Sequence, residues 1–152
     1  MDKQKILTDY AKNIASLTCE MEKVCRAKET LFCESINITS VEFRCLRYLL
    51  NKSFAQVKEL AHNMDLTPSR VTNLLNSLEN NNYIKREISP KDRRIIKILL
   101  TQQGKEFAVQ TQEKYINFHV KILESVEDKS KLEDMLNNLN AFKDTLESFL
   151  KK

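Results

Sequence analysis

The chain has 152 residues, 41% hydrophobic and 30% charged, with a single Gly, two Pro and no Trp. Such poverty in turn residues argues against an all-β fold and for long helices, while the length suits one domain with its own core, or one with an appended dimerisation part. The formal net charge of +4 is matched by residues 85–104 alone, which carry six basic and two acidic groups, and a local concentration of this kind attracts phosphate. No run of about 18 apolar residues exists, so no membrane-spanning helix is expected. The first residues lack the apolar stretch of a signal peptide, which points to the cytoplasm and to reduced thiols.

In chain order, Leu7, Tyr10, Ile14, Leu17, Met21 and Val24 step by three and four. Leu31 continues the series after Lys28. This is the apolar seam of a long coiled-coil-like helix. A second row of small residues, Ala11, Ala15 and Cys19, would let another helix approach closely. Residues 34–38 form a connector. Thr39-Ser40-Val41-Glu42 is a capping box that opens a helix burying Val41, Cys45, Leu46, Leu49 and either Phe43 or Tyr48. Ser53-Phe54-Ala55-Gln56 has the pattern of another, opening a short helix with Val57, Leu60, Ala61 and Met64 inward.

After a turn at residues 63–66, Thr67-Pro68 gives an N-cap with Pro at the first helical position. The helix that follows has Val71, Leu74, Leu75 and Leu78 on one face and Ser69, Arg70, Thr72, Asn73 and Asn76 on the other. Asn80-Asn81-Asn82 ends it, with Asn82 suited to a left-handed backbone. Residues 83–88 and the alternating Ile96, Ile98 and Leu100 make a hairpin across a Ser89-Pro90-Lys91-Asp92 turn. Two long helices close the chain. One begins after Thr101 and includes Phe107, Tyr115, Phe118, Ile122 and Val126. The other is expected to open on Ser130-Lys131-Leu132-Glu133 and has its own seam through Leu132, Met135, Leu139, Phe142, Leu146 and Phe149. Two seams too long for the central unit to cover predict a homodimer.

The centre is helix, tight turn, helix and basic hairpin, the arrangement that places a second helix in the DNA major groove. Arg70 can pair with guanine O6 and N7, and Asn73 with adenine N6 and N7. Ser69 and Thr72 suit phosphate or base edges, as does the helix N-terminus at Thr67. Lys85, Arg86, Lys91, Arg93, Arg94 and Lys97 give the hairpin its charge, and its tip suits the narrow minor groove.

From Ile38-Thr39 and Glu42-Phe43-Arg44-Cys45-Leu46, through Val57-Lys58-Glu59-Leu60-Ala61 and Leu66-Thr67-Pro68-Ser69-Arg70-Val71-Thr72, the chain resembles the MarR family of bacterial transcription regulators. The likeness continues through Leu78-Glu79 and Tyr83-Ile84-Lys85-Arg86. Its most distinctive part is Ser89-Pro90-Lys91-Asp92-Arg93-Arg94 followed by Leu100-Thr101-Gln102-Gln103-Gly104. The resemblance implies a mainly α winged helix-turn-helix with a small β-hairpin, the DNA-binding domain at 34–101, and dimerisation helices at 1–33 and 102–152. It implies an obligate dimer on a pseudo-palindromic site, with Ser69, Arg70, Thr72 and Asn73 facing the major groove, Arg94 at the wing tip and Asp92 orienting Arg94. The chain departs from the family at Asn82, where Gly is usual, and in a reading helix whose one basic group is Arg70. Affinity is therefore expected to lean on the wing.

The expected contacts to double-stranded DNA are Thr67, Ser69, Arg70, Thr72, Asn73, Asn76, Lys91, Arg93 and Arg94. The expected role is a repressor relieved by a small-molecule effector or a thiol event. Cys19, Cys25 and Cys33 are candidate thiol sensors by the same resemblance, against packing roles that suit Cys45 and Cys19. No C-x-x-C pair occurs, and neither His62 nor His119 has neighbouring metal-ligand spacing. No phosphate loop, H-E-x-x-H or Ser elbow occurs, so no catalytic residue, metal or cofactor is expected. Two rival readings are a redox or metal sensor of the same fold and a helical protein-interaction module with an acidic partner.

Overall fold

The computed structural model describes residues 3–90 and 92–151. Lys91, one of the expected DNA contacts, lies outside the described residues. Helix α1 spans Lys3–Ser35, α2 Ser40–Leu50, α3 Val57–Met64, α4 Pro68–Asn80, α5 Gln102–Glu124 and α6 Leu132–Leu150. Strands β1 (Ala55–Gln56), β2 (Ile84–Ile88) and β3 (Ile96–Leu100) form one antiparallel sheet in the order β1-β3-β2. This is a mainly α winged helix-turn-helix architecture with long helices before and after it. The chain divides into two units, one up to Tyr115 and the other from Ile116.

The core of the first unit is built from the faces that periodicity selects. Cys45, Leu46 and Leu49 of α2, Leu60 and Met64 of α3, and Val71, Leu74, Leu75 and Leu78 of α4 are buried around Ile84 and Ile98 of the sheet. Phe43 is buried as well, with Phe32 and Tyr115 edge-on or tilted to it at 4.9–5.4 Å, while Tyr48 is half-buried. Lys28, which interrupts the first seam, lies 5.8 Å from the Tyr115 ring centre. That contact explains a cation in an otherwise apolar row.

Three helix starts show how local chemistry sets the boundaries. At α2 the capping box forms: Thr39 Oγ1 accepts from the Glu42 N–H, and the Thr39 N–H donates to Glu42 Oε2 at 2.8 Å. Glu42 Oε1 also takes the Ser77 hydroxyl of α4 at 2.5 Å. Burial works to raise the Glu42 pKa, but the hydrogen bonds from Ser77 and Thr39 outweigh it and hold the carboxylate below its usual range.

The expected cap at Ser53 does not form. Ala55 and Gln56 pair with Ile98 and Lys97 as β1 instead, and α3 starts at Val57 with the Gln56 N–H donating to Glu59 Oε2. Ala55 is fully buried, so a third strand with a core position displaces the local capping pattern. Glu59 Oε1 then receives both Tyr48 Oη and Lys52 Nζ, which tie α2 to α3.

The cap expected at Ser130 is likewise moved. Asp128 accepts from the Ser130 N–H at 3.1 Å and opens a 3₁₀ turn, Lys129–Lys131, ahead of α6. Val126 falls beyond the end of α5, and α1 runs to Ser35, two residues into the expected connector.

The second unit contains the end of α5 and α6. In α6, Leu132 and Phe142 are partly covered, while Met135, Leu139, Leu146 and Phe149 are exposed. The α1 seam is exposed in the same way, from 40% at Met21 to 68% at Val24. No helix among the described residues is long and apolar enough to cross a membrane.

Candidate nucleic-acid interface

Helix α4 begins after a tight turn in which Asp65 takes a left-handed conformation (φ 51°). Thr67 caps the helix by accepting the Arg70 N–H at 3.4 Å, with Pro68 next. The burial of Val71, Leu74, Leu75 and Leu78 turns Ser69, Arg70, Thr72, Asn73 and Asn76 outward, and all five are exposed. Ser69, Asn73 and Asn76 follow at spacings of four and three, so they form one stripe. Thr72 Oγ1 donates to the Pro68 carbonyl at 3.0 Å, which leaves its oxygen as an acceptor toward solvent.

At its end, α4 hands the chain to β2 through Asn82 at φ 57°, with the Tyr83 N–H returning to the Leu78 carbonyl at 2.9 Å. Asn thus fills the left-handed position without Gly. Thr101 locks the other side of this corner. Its hydroxyl donates to the Asn82 carbonyl at 2.6 Å and accepts the Gly104 N–H at 2.9 Å. Those bonds account for the Thr of the Thr-x-x-Gly motif.

Strands β2 and β3 pair in the register Ile84↔Leu100, Arg86↔Ile98 and Ile88↔Ile96. Beyond them, the Ser89 N–H meets the Ile95 carbonyl at 2.9 Å and the Ile95 N–H meets the Asp92 carbonyl at 3.0 Å. The second bond closes a β-turn over 92–95, with Arg93 and Arg94 as its two central residues. Asp92 Oδ1 accepts the Arg94 main-chain N–H at 2.9 Å, so Asp92 orders the backbone of the tip in an Asx turn. Asp92 thus meets Arg94 at its main-chain N–H.

The cations of the hairpin are not equivalent. Lys85 pairs with Glu87 at 2.7 Å, Arg86 reaches Glu79 at 3.4 Å, and Lys97 stands over the Phe54 ring at 4.5 Å. Among the described residues, no salt bridge engages Arg93 or Arg94, and both are exposed. The counted charge of the hairpin is thus largely answered at its base and left open at its tip. The role of Arg86 was not legible from charge alone. Its Nη2 donates to Asn76 Oδ1 at 2.6 Å, because it shares a sheet face with Ile84 and Ile98 and so looks onto α4.

A groove of about 570 Å³ lies between α1, α2, the α3–α4 turn and Tyr115; Cys25, Arg26, Lys28, Arg44 and Arg70 line it. Cys19 and Cys25 are exposed, whereas Cys33 and Cys45 are buried. Burial raises the Cys33 pKa and pushes Cys45 up to about 12. That is the wrong direction for thiolate chemistry, and Cys45 packs within the core cluster. No group of three His, Cys, Asp or Glu among the described residues converges on a metal-sized space.

Residues 38–96 match the MarR family. Among curated proteins, the HTH-type transcriptional repressor MdtR of Bacillus subtilis is 35% identical over 71 residues, covering 47% of this chain and 46% of MdtR. The uncharacterized HTH-type transcriptional regulator YhbI of the same organism is 32% identical over 73 residues, covering 48% and 47% of the two chains. The chain thus spans about half the length of these curated relatives. Wild-type MarR of E. coli superposes with a TM-score of 0.71 at 17% identity, covering 82% of this chain and 94% of that one. Transcriptional regulator Tm0710 of Thermotoga maritima does so with a TM-score of 0.68 at 24% identity, covering 93% and 99%. At these identities the structural likeness speaks for the fold alone.

Proposed function

We propose that this chain, whose residues 38–96 match the MarR family, is a homodimeric, DNA-binding transcription repressor. The observation that carries the reading is the joining of α4 to the basic hairpin, where Arg86 meets Asn76 and Glu79. The helix presents an outward polar stripe of Ser69, Arg70, Thr72, Asn73 and Asn76, and the hairpin ends in a turn whose two corner residues are Arg93 and Arg94. The stripe offers hydrogen-bonding groups to base edges, and the tip offers cations to the phosphate backbone or minor groove. Lys91 belongs to the same proposed contact set. The repressor role is favoured by the MdtR likeness, which is confined to about half of that protein.

The exposed seams support the dimer. Leu7, Tyr10, Ile14, Leu17, Met21 and Val24 of α1, with Met135, Leu139, Leu146 and Phe149 of α6, are too many large apolar groups to leave in water. Residues 1–33 and 102–152 are therefore the proposed dimerisation region and 34–101 the reading domain. Two reading helices related by a two-fold axis would meet successive major grooves about 34 Å apart on a pseudo-palindromic site. The groove lined by Arg26, Arg44, Arg70 and Cys25 is the proposed seat of the releasing event, by a small molecule or by oxidation of Cys25, because it joins α1 to the start of the reading helix. The setting of the protein would be the cytoplasm.

Selection of bound sequences from a random duplex pool, with the molar mass of the complex measured alongside, tests the reading. Inverted half-sites spaced about 10 base pairs apart and two chains per duplex are expected. Binding with no sequence preference, or by a single chain, would overturn it.

A further inference from the structure

Arg86 and Asn76 meet across the gap between β2 and α4, and the chemistry of that meeting fixes what Asn76 can offer. A guanidinium has only donors. The atom of Asn76 that lies 2.6 Å from Arg86 Nη2 must therefore be the carbonyl oxygen, and the amide N–H2 is directed away from Arg86. A free asparagine can turn its amide over to suit either a donor or an acceptor; this one cannot without placing two donors face to face. Glu79 holds the same guanidinium through Nε at 3.4 Å, so Arg86 is anchored on α4 at two points three residues apart and its charge is partly answered there. Asn76 itself is exposed and continues the stripe of Ser69 and Asn73.

We infer that Arg86 is a positioning residue that presets the Asn76 amide as a hydrogen-bond donor toward a DNA acceptor. The acceptor is a phosphate oxygen or an acceptor atom on a base edge. This rests on the DNA-binding reading above and deepens it: Arg86 acts through Asn76 and is not itself a phosphate contact, although it belongs to the basic hairpin. The same contact ties β2 of the wing to the reading helix.

A double-mutant cycle on DNA affinity tests the inference, using the full chain, a duplex selected by the wild type and thermal unfolding measured in parallel. Asn76→Ala is expected to weaken binding about 3- to 10-fold, the scale of one hydrogen bond. Arg86→Leu should weaken it similarly, and the double variant no further, because the two residues act as one unit. Asn76→Asp keeps an acceptor for Arg86 and so should melt no lower than the wild type, yet it has no donor and should bind at least as weakly as Asn76→Ala. Reselection of sequences with Arg86→Leu separates the two acceptors. A relaxed preference at one position per half-site marks a base edge, and a uniform loss marks a phosphate. Additive losses, or an Asn76→Ala variant that binds like the wild type, would overturn the inference while leaving the DNA-binding reading intact. A wild type that selects no sequence would remove both.

Discussion

The backbone of Gly104 runs so close beneath Tyr83 that a β-carbon at 104 would stand 1.8 Å from the Tyr83 carbonyl oxygen and 2.6 Å from its carbon. This is the chain's single glycine, and close approach rather than an unusual dihedral angle demands it. The contact seats the first turn of α5 on the corner where α4 gives way to β2, with Thr101 bonded to both sides.

Gly104→Ala should therefore destabilise the fold even though Ala favours a helix by up to about 1 kcal/mol over Gly. The obstacle is main chain, so no side chain can swing aside, and a net loss of roughly 1–3 kcal/mol is expected from overpacking. Urea unfolding of the two proteins measures it. A midpoint equal to or above the wild type would show that α5 can lift from Tyr83 at little cost.

The same corner shows what the sequence could and could not reveal. The core faces of α2, α3 and α4 were legible because burial follows the helical period at Leu46, Leu60, Val71 and Leu78. The Asn82 corner was legible because few residues tolerate a left-handed backbone. β1 was not: two residues have no readable period, and a capping pattern at Ser53 competed with a pairing to Ile98 far along the chain. The Arg86–Asn76 contact was hidden for a related reason. Charge counting treats every cation of the hairpin alike, whereas the alternation of the strand decides that Arg86 faces α4 and that Lys85 does not.

At the tip, substitutions of Arg94 and Asp92 should both weaken DNA binding, for different reasons. Arg94→Ala removes a cation with no ionic partner among the described residues, so affinity should fall for many sequences and the slope of log K against log salt should flatten by about one. Asp92→Ala removes a negative charge, and charge alone predicts tighter binding. Loss of the bond to the Arg94 N–H loosens the turn that presents both arginines, so weaker binding with little change in salt slope is expected. Fluorescence anisotropy at several salt concentrations distinguishes the two. Tighter binding by Asp92→Ala would mean that the turn keeps its shape without the Asx bond.

The four thiols should separate into two classes toward a maleimide. Cys33 is 1% exposed and Cys45 is fully buried, both with pKa raised by burial. Neither should react in the native protein, and both should react in denaturant. Cys45 also has a consequence at high pH. Its folded pKa of about 12 lies above the unfolded value near 9.0, so the unfolded chain gives up this proton first. Stability should begin to fall as pH rises past about 9 and continue falling toward 12. Mass spectrometry of labelled protein checks the first point. Rapid native labelling at Cys33 would reopen it as a sensor.

Glu59 supplies the opposite dependence at low pH. The Lys52 ammonium, the Tyr48 hydroxyl and the Gln56 N–H all donate to its carboxylate, and together they hold its pKa at about 2 against an ordinary 4.5. A depressed carboxylate stabilises the fold fully above the unfolded value and loses that contribution as pH falls through the folded one. The benefit of Glu59 should thus be constant above about pH 5 and shrink between 4.5 and 2. Glu59→Gln keeps the shape but cannot change charge in this range. The difference in urea midpoint between wild type and Glu59→Gln should accordingly be steady near neutrality and narrow through that acid window. A difference that stays the same down to pH 2 would mean that the ties of α2 to α3 do not depend on the Glu59 charge, and that the network holds by packing of Tyr48 alone.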